Sequence, residues 1–198
     1  MKLFKIFSIP TIHFLLPTAY CLLLFFIACQ TTIDNTSAQS TQKPFFDLRT
    51  YFQSQIKQLA NIKAVTKKVS ANGKTEEKTF NKLDFEKELA MFVGSDINRP
   101  AWLDKYKIQN ISIENDSARS KETVYTTTNE QLKTKEVKVF FDKTGAPVEI
   151  NIANADKSLF SDWKQNLNYK PGQGYSISND QQFIFFKDSR VTIDAAFK

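Results

Sequence analysis

The stretch TKEVKVFFDKTGAPVEINIA, residues 134–153, constrains the fold of this chain more than any other part of it. Apolar and polar side chains alternate on both sides of a short turn at 142–145, which is typical of an antiparallel hairpin with one buried face. A loop of this length predicts that Val137 faces Ile150. Because the apolar face of such a hairpin must be covered, we expect helices to pack against it.

The same period of two continues to the end of the chain. It predicts eight strands: 106–115, 121–128, 134–141, 146–153, 160–169, 174–178, 182–187 and 190–197. We expect the last two strands to turn at 188–189 and to place Phe186 opposite Val191. Phe183 and Phe185 then lie on the other side, so this strand is predicted to be apolar on both faces.

Apolar spacing predicts two helices before these strands. In the first helix, which Pro44 opens, five apolar residues share one face: Phe45, Leu48, Phe52, Ile56 and Leu59. Asp84 suits the N-cap of the second helix and Gly94 suits its end, and Asn72-Gly73 predicts a β-hairpin between the two helices. The fold class is therefore α+β, with N-terminal helices packed on an antiparallel β-meander sheet.

The first 28 residues have the layout of an export signal. Lys2 and Lys5 give a positive start, an apolar stretch follows, and the small Ala28 directly precedes Cys29. The stretch FIAC at 26–29 resembles the lipobox of bacterial lipoproteins, although Phe26 stands where leucine is usual. The resemblance implies that the chain is cut before Cys29 and that a diacylglycerol, and usually an N-acyl chain such as palmitate, is attached to this residue.

Two other interpretations of the same segment stay open. Residues 6–28 are long enough to form an uncleaved membrane anchor, since about 20 apolar residues span a bilayer, although Pro10 and Pro17 interrupt the run. A secreted form without the lipid is the third possibility. In the lipoprotein interpretation, Gln30 rather than aspartate follows the cysteine, which implies the outer membrane, with the protein facing the periplasm.

The lipobox divides the chain into three parts. Residues 1–28 are the signal peptide, and residues 29–43 are the lipidated cysteine and a polar tether rich in Thr, Ser and Gln. Residues 44–198 then form a single domain.

Removal of the signal excludes several kinds of chemistry. Cys21 and His13 leave with it, and Cys29 is consumed by lipid, so the mature domain has no thiol and no imidazole. We therefore expect no metal site, no cofactor and no enzyme activity. The mature chain keeps 25 basic and 21 acidic residues, a net charge of +4 that is spread along the sequence. This charge does not favour nucleic-acid binding and suits a weak attraction to anionic membrane.

Aromatic residues are the remaining candidates for a binding site. Pro100 can begin a short helical turn that presents Trp102, which either anchors a protein partner or plugs the end of the sheet. Thirteen of the eighteen phenylalanines lie in the mature chain. They belong either to a packed core or to a curved-sheet cavity for a lipid. Such a cavity is predicted to be lined by some of four aromatic residues: Phe140, Trp163, Phe183 and Phe185.

Three stretches of the domain carry a second resemblance: FFDLRTYF, LDFEKELAMFVGSDINRPAW and VKVFFDKTGAPVEI. They are similar to small uncharacterised lipoproteins of Gram-negative bacteria, over nearly all of residues 45–198, and this resemblance implies no activity. The sequence thus predicts a non-catalytic envelope lipoprotein with a binding or assembly domain. The alternative is a carrier of a lipid or another apolar ligand.

Overall fold

The alternating segments form nine antiparallel strands in one sheet. The strands are β1 (Val65–Ala71), β2 (Lys74–Phe80), β3 (Lys107–Ser112), β4 (Lys121–Thr126), β5 (Thr134–Phe141), β6 (Pro147–Lys157), β7 (Ser161–Lys170), β8 (Gly174–Phe183) and β9 (Ser189–Phe197). Strands β3 to β9 follow one another as a meander, and the hairpin of β1 and β2 is added beside β9. The predicted antiparallel sheet is therefore confirmed.

The structure is a computed structural model that describes residues 43–198. The predicted signal peptide 1–28, Cys29 and all of the tether except Lys43 lie outside the described residues. Residues 42–198 form a compact unit that contains the whole sheet, the helices described below and the hydrophobic core. Because this unit has its own core, we expect it to fold on its own.

The helical part is small, so the domain is mostly β. It consists of α1 (Leu48–Leu59), α2 (Phe85–Glu88), α3 (Ala90–Gly94) and one 3-10 turn (Pro100–Trp102). The first helix begins at Leu48 and not at Pro44, because the side chain of Asp47 caps it by accepting a hydrogen bond from the Thr50 amide at 3.0 Å. The second predicted helix is two short helices that break at Leu89. Both follow the β1–β2 hairpin, so only α1 precedes the sheet.

Aromatic side chains fill the space between the helices and the sheet. The ring centroid of Phe52 in α1 lies 5.0 Å from that of Phe92 in α3 and 5.1 Å from that of Tyr169 in β7. All three side chains are fully buried. The hydroxyl of Tyr169 donates to Gln55 Oε1 at 2.8 Å, which satisfies both groups inside the interface. The centre of the domain is thus a packed core.

The β5–β6 hairpin forms as predicted, but its register differs by two residues. Val137 faces Ile152 and not Ile150. A bulge between Phe140 and Phe141 absorbs an extra residue of β6 close to the turn. A shift of two residues keeps every side chain on its predicted face, so the apolar face still points to the helices.

The predicted terminal hairpin is wrong. Residues 174–183 form one continuous strand, and the turn to β9 occupies 184–188. Val191 pairs with Asn179 instead of Phe186. The turn is closed by Asp188, whose Oδ1 accepts a hydrogen bond from the Phe183 amide at 3.2 Å. Phe183 therefore stays in the sheet, whereas the apolar residues 184–186, which were predicted to continue the strand, form the turn.

Candidate functional site

The sheet face that packs against the helices changes from apolar to polar at one end. Along β6 the buried row runs from Ile150 and Ile152 to Asn154. Along β8 the same row runs from the buried Ile177 to the half-buried Asn179. Amides occupy three positions that lie side by side in neighbouring strands: Asn154 in β6, Gln165 in β7 and Asn179 in β8. We call these three residues the amide row.

Beyond α3 the amide row forms the floor of a cleft of about 820 Å³. Two tryptophans, Trp102 and Trp163, and two cations, Arg99 and Lys133, line it together with five amide side chains: Gln131, Asn154, Gln165, Asn179 and Gln181. No carboxylate belongs to this lining. The cleft therefore offers many hydrogen-bonding groups and a positive electrostatic potential, which suits a polar ligand with negative charge.

The amide row is held by its own hydrogen bonds. Asn154 Nδ2 donates to Ser95 Oγ and to Gln165 Oε1, both at 3.0 Å. Gln165 Nε2 donates to Asn179 Oδ1 at 2.9 Å. These bonds fix the direction of each amide before any ligand arrives, so the floor is preorganised.

One acceptor in the floor has no donor. The side chain of Asn154 is 4% exposed, and its Oδ1 has no hydrogen-bond partner within residues 43–198. Leaving such a buried carbonyl unpaired costs about 1–3 kcal/mol.

Each tryptophan carries a cation over its ring. The guanidinium carbon of Arg99 lies 4.3 Å from the ring centroid of Trp102, and Lys133 Nζ lies 4.4 Å from that of Trp163. Different elements position the two tryptophans. Pro100 starts the 3-10 turn that presents Trp102, whereas Trp163 projects from β7 in the row that contains Gln165. Ring and cation together form a wall that can hold an anionic group against an apolar surface.

A smaller recess of about 250 Å³ continues the cleft. It shares Lys133, Trp163 and Gln181 with the cleft and reaches Ser158 and Ser161 in the turn between β6 and β7. Asp156 also lines this recess. The cleft thus opens toward the end of the sheet at which β6 and β8 terminate.

The structure brings together two of the five predicted aromatic site residues. Trp102 and Trp163 both line the cleft, and Trp102 also packs against the core. It therefore closes the end of the core and faces the cleft at once. Phe140 lies on the opposite face of the sheet, where the guanidinium carbon of Arg119 is 4.6 Å from its ring centroid.

The other two predicted residues lie outside the cleft lining. Phe183 is half-buried at the end of β8, and Phe185 is exposed in the turn that follows. Phe185 belongs to a cluster of five exposed apolar residues in the two neighbouring turns, which we call the hairpin tip: Leu159, Phe160, Ile184, Phe185 and Phe186. Phe140, Trp163, Phe183 and Phe185 thus do not line one cavity.

Sequence reasoning missed the amide row and both cations. The signal was present for the amides, because Asn154 continues the period-two row of Ile150 and Ile152 by one step. Arg99 also had a local signal, because it directly precedes the 3-10 turn and lies three residues before Trp102. Lys133 had none, since it is the residue before β5 and its approach to Trp163 in β7 depends on the sheet order.

Residues 43–198 contain no group of three or more Asp, Glu, His or Cys placed to hold a metal ion. No helix within them is both long and apolar enough to cross a membrane.

No protein-family model, curated protein or solved structure matches this chain significantly. The resemblance to bacterial lipoproteins therefore stays a prediction from the sequence.

Proposed function

We propose that this protein is a non-catalytic lipoprotein of the cell envelope whose domain binds a polar, negatively charged ligand in the cleft. It is anchored to the outer membrane through lipid on Cys29 and faces the periplasm. The observation that carries the binding proposal is the cleft lining, in which two tryptophan–cation pairs face a preorganised amide floor. The FIAC motif and the polar tether support the anchor.

Carriage of an apolar ligand, the alternative that the sequence left open, has less support. A cavity for an acyl chain is lined mostly by apolar side chains, whereas this cleft is lined by five amides and two cations. The aromatic residues predicted for such a cavity also lie in separate places. The lining favours a ligand with hydroxyl or amide groups and an anionic substituent.

The anchor is tested by replacing each cysteine in turn. We expect Cys29→Ser to abolish palmitate incorporation and to leave the chain at its precursor size, because the thiol that receives the lipid is gone. Cys21→Ser is the matched control and should be processed and lipidated normally. Metabolic labelling, gel mobility and membrane fractionation measure this. A Cys29→Ser chain that reached the membrane at the mature size would show that the lipobox interpretation is wrong.

The cleft is tested by fluorescence, because the only two tryptophans of the chain both line it. We expect glucose 6-phosphate to change the emission of the unit 42–198 at far lower concentration than glucose does. Arg99→Gln and Lys133→Gln should each weaken phosphate-dependent binding about tenfold or more, since each removes a charge-assisted contact.

Arg49→Gln is the matched control for these variants, because Arg49 is exposed on α1 and does not line the cleft. It should bind like the unchanged domain. The absence of any emission change with either sugar, or equal affinity in all variants, would contradict a ligand site in the cleft.

A further inference from the structure

The hairpin tip is the most exposed apolar surface of the described domain. Its five side chains are 64% to 83% exposed, and the four other exposed large apolar residues within 43–198 reach at most 49%. Together they present an apolar area on the order of 600 Å². That is the size of the largest patch on an ordinary monomer and usually marks an interaction site.

Two neighbouring turns build the hairpin tip as one unit. The Ile184 amide donates to the carbonyl of Phe160 at 3.1 Å, and the ring centroids of Phe160 and Phe185 lie 6.4 Å apart. Ser158 Oγ accepts from the Phe160 amide at 3.3 Å and the Ser161 amide at 3.0 Å. These backbone donors are thus paired inside the turns, as entry into an apolar medium requires.

The hairpin tip borders the cleft. The recess that continues the cleft runs from Trp163 and Lys133 to Ser158 and Ser161, and the last two enclose Leu159 and Phe160 in the turn. The positive lining of the cleft therefore lies directly behind an exposed apolar surface. Two further lysines are exposed beside the tip: Lys157 at the end of β6 and Lys187 in the turn 184–188. Carboxylates accompany them, since Lys157 Nζ lies 3.6 Å from Asp162 Oδ2 and Asp188 follows Lys187.

We propose that the hairpin tip and the cleft form one site for an anionic membrane lipid. The apolar side chains of the tip enter the acyl region of a bilayer, and the anionic headgroup of a lipid occupies the cleft between the two tryptophan–cation pairs. This inference rests on the proposed function of the cleft and names the source of its ligand. Apolar residues that project from turns, with cations behind them, match the layered order of acyl chains and charged headgroups in a bilayer.

The test uses the unit 42–198, which lacks the lipid anchor, with two kinds of vesicle. One contains phosphatidylcholine alone, and the other contains phosphatidylcholine with phosphatidylglycerol. We expect the unit to partition into the mixed vesicles with a blue shift of its tryptophan emission. Phe185→Ser combined with Phe186→Ser should lower the partition coefficient about tenfold or more, because two exposed aromatic side chains no longer enter the bilayer.

The cleft variants separate headgroup binding from insertion. Arg99→Gln combined with Lys133→Gln should remove the preference for phosphatidylglycerol while leaving the weaker binding to phosphatidylcholine. Ile108→Ser combined with Ile111→Ser is the matched control, since both residues are exposed on the edge strand β3. It should partition like the unchanged unit.

Three outcomes would overturn the inference. The first is glucose 6-phosphate binding without vesicle binding, which keeps the proposed ligand site but shows that the ligand is not a membrane lipid. The second is equal partition of the tip variant and the unchanged unit. The third is self-association that the tip variant abolishes without a change in vesicle binding, which shows that a second copy covers the tip.

Discussion

Gly174→Ala is expected to prevent stable folding of the domain. Gly174 starts β8 with a φ of +155°, and a Cβ added there would lie 2.0 Å from the carbonyl oxygen of Ala195 in β9. That oxygen belongs to the backbone of a strand in the interior of the sheet, paired on both sides. Relief of the contact requires the two strands to separate, so we expect a loss of at least about 4–5 kcal/mol, a large share of the stability of a typical domain.

A second glycine, in the turn between β7 and β8, provides the control. Gly172 has a φ of +68°, and a Cβ there meets nothing within 4 Å. Gly172→Ala should therefore cost only the conformational penalty of about 1–2 kcal/mol. Urea unfolding followed by circular dichroism compares the two variants. Equal midpoints for Gly172→Ala and Gly174→Ala would show that the close approach of β8 and β9 does not limit stability.

The domain is expected to unfold steeply above pH 10. Burial raises the pKa of all five tyrosines in the described part of the chain: Tyr51, Tyr106, Tyr125, Tyr169 and Tyr175. The pKa of Tyr106 rises to about 12. For Tyr175, the hydrogen bond that its hydroxyl donates to Glu88 adds to the effect of burial.

The direction of the pH effect on stability follows from the state, folded or unfolded, in which the tyrosines ionise first. Above about pH 10 these tyrosines lose their protons in the unfolded chain before they lose them in the folded one, so the unfolded state is favoured as pH rises. Their contribution to stability is complete below pH 10 and is lost toward the raised folded pKa. The four tyrosines with the largest shifts, Tyr51, Tyr106, Tyr169 and Tyr175, together remove roughly 5 kcal/mol between about pH 9 and pH 11, which is comparable with the whole stability of a small domain.

The measurement is urea unfolding at several pH values, with tyrosinate absorbance recorded in parallel. Absorbance should rise together with unfolding and not before it. Tyr106→Phe should reduce the loss of unfolding free energy by about 1.4 kcal/mol per pH unit, which is the contribution of one tyrosine. It also removes the hydrogen bond from the Tyr106 hydroxyl to the Thr134 carbonyl, so the slope with pH is compared and not the absolute stability. A smooth titration of all five tyrosines near pH 10 in a folded domain would contradict the expectation.

Turns, pairings and helix caps are predicted correctly where they depend on residues that are close in the sequence. The turn at Asn72-Gly73 forms with positive φ at both residues, as its side chains require. Lys68 faces Glu77 across the β1–β2 hairpin, and Asp84 caps α2 by accepting from the Lys87 amide. In each case the partners lie within a few residues of one turn, so the chain itself sets the geometry.

The predicted strand bounds are wrong where pairing with distant segments decides how far a strand extends. The apolar run predicts that Phe185 and Phe186 are strand residues, as Phe183 is, because runs of this length usually form strands. The polar stretch before them extends β8 instead, since Asn179 pairs with Gln165 in β7 and with Val191 in β9. The polar end of β8 cannot be recognised as a strand from its own residues. It is held in the sheet by the amide row, which it forms together with β6 and β7.

Four properties of this protein follow from its sequence alone: the alternating β pattern, the apolar face of α1, the lack of cysteine and histidine after residue 29, and the predicted export signal. These properties depend on residue types and on their spacing over a few positions. Arg99 lies over the ring of Trp102 within one turn of the chain, so this contact is also local. The cleft that Trp102 and Trp163 share, and the position of Lys133 over the ring of Trp163, depend on the tertiary structure. The reason is that strand order and register bring these three residues together over separations of 30 or more positions, and no local spacing encodes such neighbours.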